Sequence, residues 1–291
     1  MKATPSKIVV IGSGEWGSAI AKAFGAELIA GRAEAQKIDA DIVVLAVKSQ
    51  AVAEVLKKHN FGSSKIVLSA KGFDPLTQRL QTEVATEILP NNEFAVLSGP
   101  NFASEIAAGL PAVATIAAAN MKTAEELAQI MSRKNYRLYP CDDIIGVQIL
   151  GAIKNVIAIA CGIAQGNKLG ENARAAIITR SLAEIARLVK ALGGKSETLL
   201  LPAGVGDLFL TCSSEKSRNF RLGENIAENG RFVANPKFLC EGYYACDAIN
   251  KLANKIKIEM PICNSVYEVI YNNQDVHGQI NQLLERPRLK T

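Results

Sequence analysis

The chain is poor in the side chains that most often bind metals or shuttle protons. It has two histidines, His59 and His277, and six cysteines: Cys141, Cys161, Cys212, Cys240, Cys246 and Cys263. No two cysteines form a CxxC pair, so zinc-site spacing is absent and no metal is expected. Six cysteines in 291 residues do not make a disulfide framework, which points to a reducing compartment. Charge of one sign is nowhere concentrated. The 33 basic and 28 acidic residues leave a net charge of +5 without a basic block. Nucleic acid is therefore not an expected partner, whereas a mild positive balance suits an anionic small substrate. The segment Met1–Lys7 leads straight into a strand pattern and lacks signal-peptide character, so a cytoplasmic protein is expected. One hydrophobic run, Val147–Ala164, is about one bilayer thick as a helix. Lys154 and Asn155 sit at its centre, where a lysine would cost roughly 2.5–3.5 kcal/mol on insertion. It reads as a buried helix and not as a membrane span.

Hydrophobic residues make up 48% of the chain, ample for two packed cores, and single cores stop growing near roughly 250–300 residues. The first half alternates short apolar runs with helical patterns. Lys7–Ile11, Glu27–Ala30, Asp41–Val47, Lys65–Ser69, Phe94–Leu97, Ala112–Ala118 and Tyr136–Tyr139 read as strands. Ser18–Phe24, Ser49–His59, Gln78–Leu89 and Thr123–Ser132 have helical spacing. Continuous apolar strands separated by helices predict an α/β doubly wound parallel sheet. After Pro140 only helical patterns follow: Ile144–Gly166, Asn172–Leu192, Asp207–Thr211, Arg221–Asn229, Cys246–Asn254 and Ile262–Asn272. The expected division is 1–142 and 143–291, the second domain all-helical.

Strand Lys7–Ile11 runs directly into Gly12-Ser13-Gly14-Glu15-Trp16-Gly17 and a helix, the GxGxxG turn of a Rossmann-type dinucleotide domain in its required context. Gly12 permits the tight turn, Gly14 lets backbone approach a pyrophosphate, and Gly17 lets the helix pack on the strand. Two readings stay open at the adenosine end. Arg32 suits a 2′-phosphate and favours NADPH, whereas Glu34 suits the free ribose of NADH.

Hydride transfer to a carbonyl needs a proton donor. Both histidines read as surface residues, His59 ending an amphipathic helix and His277 lying in a polar tail. Lys154 is the candidate instead: a lysine rarely sits in so apolar a helix unless paired or functional, and desolvation makes its ammonium a usable acid. A lysine snorkelling to the surface is the plainer reading. Asp207, flanked by glycines and apolar residues, suits pairing with Lys154, or else a helix N-cap; Thr211 lies one turn on. Ser217, Arg218 and Asn219 supply hydroxyl, guanidinium and amide donors suited to a phosphate, or form a plain polar loop. Lys71, and the Gly99-Pro100-Asn101-Phe102-Ala103 segment, follow strands at the edge where parallel sheets bind ligands.

In sum these motifs resemble the NAD(P)-dependent glycerol-3-phosphate dehydrogenases of bacterial type. The resemblance spans nearly the whole chain: GSGEWG at 12–17, SAKG at 69–72, LSGPNFASEIAAGLP at 97–111, LGAIKNVIAIACGIAQG at 150–166, ENARAAIITRSLAEIARL at 171–188, GVGDLFLTCSSEKSRNFRLG at 204–223 and CEG at 240–242. It implies reduction of dihydroxyacetone phosphate to sn-glycerol 3-phosphate with NADPH or NADH, in a Rossmann domain followed by a helical substrate domain. By resemblance Lys154 is the acid/base, with Asp207 and Lys71 in the catalytic group. Lys71, Gly99, Asn101, Lys154, Asp207, Thr211, Ser217, Arg218 and Asn219 match substrate positions. Besides Gly12, Gly14 and Gly17, cofactor positions are Ser13, Trp16, Arg32, Lys71, Ala103, Arg218, Leu239 and Glu241. The expected partner is a triose phosphate, and a homodimer is admitted. The chain departs from the family between Arg32 and Asp41, where relatives carry a longer segment, and at Val47-Lys48-Ser49, which replaces Val-Pro-Ser. Asn101 stands for Ser or Thr, Gln148 for Glu, and Leu201-Pro202 for Gly-Leu. Two other readings remain: a two-domain dehydrogenase of a hydroxy acid or sugar acid, which would not need the phosphate loop, and a regulatory protein that senses NAD(P) without turnover, which would not need Lys154.

Overall fold

Runs rich in valine, isoleucine and alanine build one seven-stranded sheet. The strands are β1 (Ile8–Ile11), β2 (Glu27–Ile29), β3 (Ile42–Leu45), β4 (Lys65–Leu68), β5 (Phe94–Ser98), β6 (Ala112–Ala118) and β7 (Tyr136–Cys141). They lie in the order β2-β1-β3-β4-β5-β6-β7. The computed structural model describes residues 6–74, 76–234 and 240–286. Its contacts form two units: Met1–Gly151 with Gly193–Asp207, and Ala152–Leu192 with Leu208–Thr291.

In the first unit, β1 and β3 are buried along their whole length. Alternate residues of β1 feed two cores. Ile8 and Val10 pack with Ile20 and Phe24 of α1 (Glu15–Phe24) and Leu127 of α5 (Met121–Met131). Val9 and Ile11 pack with Val55 and Leu56 of α2 (Val52–Lys58) and Ala85 of α3 (Gln81–Ile88). The two-residue period is hidden in an unbroken apolar run because both sheet faces are covered.

The sheet is not wholly parallel as expected: β6 runs antiparallel to β5. The connection between them holds only the five-residue α4 (Ala103–Ala107), whereas a parallel return needs a covering crossover, usually a full helix. Consequently β6 and β7 begin at the edge where β1, β3, β4 and β5 end. β2 and β7 are the outer strands; β2 is three residues long with Glu27 and Leu28 exposed. Among residues 30–41 there is no helix or extended strand, only a bridge from Lys37 to Asn60.

His59, read as a surface residue, is buried at 4% exposure. The chain turns extended at His59 immediately after α2, so the ring swings inward and packs edge-on against Phe61. Neither ring nitrogen meets a hydrogen-bond partner among the described residues. Burial, then the charge of Lys58, lowers its pKa against an opposing pull from the Gln36 backbone. His277 is exposed.

The second unit contains helices and, among its described residues, no strand. It comprises α6 (Ile144–Gly166) from Ala152 onward, α7 (Glu171–Ala191), α8 (Asp207–Ser213) from Leu208, α9 (Arg218–Asn229), α10 (Glu241–Lys255), α11 (Pro261–Tyr271) and α12 (Val276–Glu285). α6 is long and apolar enough to cross a membrane, yet its most apolar stretch is 89% buried in protein. The stretch read as a polar tail opens α12, capped by Asp275, whose carboxylate accepts from the Gly278 amide at 2.6 Å.

The contacts divide the chain differently from 142/143. Asp143, 4% exposed, accepts from the Gly146 amide at 2.8 Å, the Lys195 amide at 2.8 Å and the Thr198 hydroxyl at 2.6 Å. The Ala203 amide donates to the Thr115 hydroxyl at 3.1 Å. These bonds fasten residues 193–207 to the sheet unit.

Candidate active site

The glycine turn divides its labour among three positions. Gly12 adopts φ +125°, and a Cβ there would lie 2.4 Å from the Ala46 carbonyl oxygen. A Cβ on Gly17 would lie 1.7 Å from the Gly12 oxygen. Both glycines are therefore demanded by the protein's own packing. Gly14 is exposed, and a Cβ on it would meet nothing within 4 Å. Its open side faces no protein, and α1 begins immediately after it without a side-chain cap. Uncapped amides at a ten-residue helix N-terminus and an open cradle fit a pyrophosphate. Ser13 and Arg32 are exposed. The Trp16 indole donates to the Ser69 hydroxyl at 3.0 Å, and that hydroxyl donates to the Leu45 carbonyl at 2.8 Å. Ser69 thus fixes the tryptophan, a role the sequence did not reveal. Ala103 opens α4. Leu239, also expected to touch cofactor, lies outside the described residues.

A second group sits at the same sheet edge. Lys71, just beyond β4, donates to the Gly99 carbonyl at 3.0 Å and pairs with the Asp207 carboxylate at 2.6 Å. Their side chains are 18% and 1% exposed. In its own unit Asp207 therefore has Lys71 as ion-pair partner, a pairing not foreseen. Gly99 is structural, since a Cβ would lie 2.7 Å from Ala114 Cα on β6. Both polar atoms of the Asn101 side chain, and the Ser98 hydroxyl, are buried without a hydrogen-bond partner among the described residues. Buried polar groups are rarely left so; here they lie where β5 ends, at the edge where such sheets bind ligands.

The second unit holds the other candidates. Lys154 is 7% exposed and donates to the Thr211 hydroxyl of α8 at 2.8 Å, so it does not snorkel. Asn155 beside it accepts from the Asn219 amide at 2.9 Å and donates to Glu241 at 3.5 Å. The Asn219 oxygen accepts from the Gly242 amide at 2.9 Å. Two of the residues read as phosphate donors, Ser217 and Asn219, thus also hold the local fold. Asn219 joins α6, α9 and α10, and Ser217 caps α9 by accepting from the Phe220 amide at 3.3 Å. Arg218 alone of the three is exposed, at the first position of α9. Asn155 was missed as a site residue; its signal was an amide inside an apolar run, next to Lys154. Among the described residues no group of metal-binding side chains occurs.

Residues 31–124 match the NAD-dependent glycerol-3-phosphate dehydrogenase N-terminus, and residues 143–281 its C-terminus. A glycerol-3-phosphate dehydrogenase (NAD(P)+) of Sinorhizobium fredii is 45% identical over 251 residues, covering 85% of this chain and 75% of the relative. The chain belongs to the NAD-dependent glycerol-3-phosphate dehydrogenase family. A protein of the same name from Wolbachia sp. subsp. Drosophila simulans is 37% identical over 324 positions, covering 95% of this chain and 99% of the relative. That alignment is longer than the 291 residues here, so this family member lacks segments its relative carries. The crystal structure of glycerol-3-phosphate dehydrogenase from Coxiella burnetii matches with a TM-score of 0.83 at 32% identity, over 97% of this chain and 99% of that one. The N-terminal family match begins at residue 31, so the glycine turn of this glycerol-3-phosphate dehydrogenase family member rests on its own geometry.

Proposed function

We propose that this chain reduces dihydroxyacetone phosphate to sn-glycerol 3-phosphate, reversibly, with NADPH or NADH, supplying the backbone of glycerophospholipids in the cytoplasm. The observation that carries the reading, beside family membership, is Lys154: a lysine 7% exposed within an apolar helix, held at 2.8 Å by a threonine hydroxyl. Lysine carrying a proton into an apolar setting is suited to general acid work. Its ammonium protonates the C2 oxygen during reduction, and the resulting neutral amine takes the proton back during oxidation, with Thr211 fixing its direction.

The nicotinamide, when bound, supplies the hydride. Gly12, Gly14 and Gly17 with the N-terminus of α1 hold its pyrophosphate, and Trp16 is kept in place by Ser69. Arg32 takes a 2′-phosphate, which favours NADPH. Lys71, anchored by Gly99 and Asp207, contributes positive charge toward an anionic substrate. The partnerless amide of Asn101 is ready to bond it. Arg218 binds the substrate phosphate, while Ser217 and Asn219 shape the helix end that presents it. Glu241 acts through Asn155.

The test follows loss of reduced-nicotinamide absorbance with dihydroxyacetone phosphate, with NADH and NADPH in parallel. Turnover is expected with at least one. Lys154→Ala should lower kcat by roughly 10²–10⁴, the range for losing a general acid, with cofactor affinity little changed. No oxidation with either cofactor, or near-normal turnover of the variant, overturns the reading.

A further inference from the structure

Arg32 and Lys48 stand side by side at the cofactor edge of the first unit, and Lys48 has not entered the cofactor reading so far. Strands β2, β1 and β3 are adjacent, with Ile11 level with Ile29 on one side and Leu45 on the other. The residues following these strands therefore emerge together. Gly31, Gly12 and Val47 meet there: a Cβ on Gly31 would lie 3.1 Å from Val47 Cγ1 and 3.8 Å from Gly12 Cα. Arg32 follows Gly31 and Lys48 follows Val47, and both are exposed. Among the described residues, neither side chain has a hydrogen bond or ion pair.

We propose that Arg32 and Lys48 together form the binding site for the 2′-phosphate of NADPH, with Lys48 as a specificity-determining residue of this chain. The inference rests on the cofactor reading given under Proposed function. The position about twenty residues beyond the glycine turn, where a carboxylate would take a free ribose hydroxyl, is held by Arg32. A guanidinium binds phosphate through its planar fork, and an ammonium adds a compact point charge. One exposed cation is a weak reader of a dianion in salt solution; two flanking the same contact of Gly12, Gly31 and Val47 bind it together. Glu34 is exposed two residues beyond Arg32, a negative charge close in the chain that a second cation offsets. The short connection 30–41 adds no helix or strand outside β2, so selectivity falls to the residues at the strand ends. The lysine also stands in Val47-Lys48-Ser49, one of the places where the chain departs from the pattern it otherwise follows.

The experiment compares adenosine 2′,5′-bisphosphate with adenosine 5′-phosphate by titration calorimetry on the full chain, and kcat/KM for NADPH against NADH. The variants are Arg32→Gln, Lys48→Gln, Lys48→Arg and, as a charge control, Lys57→Gln on the exposed side of α2. The wild type should prefer the bisphosphate. Lys48→Gln should cut that preference, and the NADPH:NADH ratio with it, by roughly tenfold, the lower end for a lost hydrogen bond to a charged group. Lys48→Arg should retain most of it, and Lys57→Gln should change it less than about twofold. A preference unchanged in Lys48→Gln, or lowered equally by Lys57→Gln, overturns the proposal. Absence of turnover in the wild type would instead sink the enzyme reading, and the calorimetry would still decide the phosphate site.

Discussion

Glu184 offers a test of how burial sets protonation in the helical unit. It lies on α7 with 3% of its surface exposed. Its carboxylate accepts from the Ile262 amide at 2.9 Å and the Cys263 amide at 3.4 Å. These are early amides of α11, which starts at Pro261 and has no side-chain cap from Met260. Glu184 thus caps one helix from another. Burial pushes its pKa up from an ordinary 4.5 to about 7, against the two amides and the charges of Arg187 and Arg180. The native state then holds a proton that the unfolded chain has released. This contribution to stability is complete below about pH 4.5 and is lost as pH rises to about 7. With each pH unit worth ~1.4 kcal/mol, the loss amounts to about 3 kcal/mol. Glu184→Gln keeps an oxygen for the Ile262 amide and does not titrate. Urea unfolding of both proteins from pH 5 to 8 should show the glutamine variant gaining on the wild type by up to about 3 kcal/mol, most of it before pH 7. Protection of the Ile262 amide, taken relative to its intrinsic exchange rate, should fall in the wild type over the same range and not in the variant. A stability difference that stays flat across this pH range refutes the argument.

Other substitutions test the first unit. Gly17→Ala places a methyl 1.7 Å from the Gly12 carbonyl oxygen, so it should lower the melting temperature and abolish cofactor binding together. Gly14→Ala meets no protein atom within 4 Å, so its stability should stay within ~0.5 kcal/mol of wild type; cofactor titration should nonetheless show at least a tenfold loss, and equal binding would deny the cradle its role. Lys71→Met removes the ion-pair partner at 2.6 Å from the Asp207 carboxylate, 1% exposed, and should lower stability in thermal unfolding by about 1.5–3 kcal/mol, the range for a lost hydrogen bond to a charged group; a variant as stable as wild type would show that this bond adds nothing net.

Much of the site was legible because its residues break a local pattern. Lys154 is conspicuous as a charge in an apolar helix, and Gly12, Gly14 and Gly17 as a spaced turn between strand and helix. The residues that escaped notice do so because their partners are remote in sequence. Ser69 matters through Trp16, 53 positions away. Asn155 matters through Asn219 and Glu241, 64 and 86 positions away. His59 looks like the polar end of an amphipathic helix, and only the inward turn of the following backbone buries it.

The sequence alone determined the strands and most of the helices, the mixed half before the helical half, the nucleotide turn and the family, since each rests on periodicity or on contiguous motifs. Tertiary structure alone decided which side chains bond one another. Ser217 and Asn219 look like plain phosphate donors in the chain; in the fold the Ser217 oxygen also caps α9 and the Asn219 side chain also ties three helices together. Asp207 is joined to Lys71, and β6 reverses against β5. Hydrogen-bond partners and strand direction depend on distances between residues far apart in the chain, and no local pattern carries those distances.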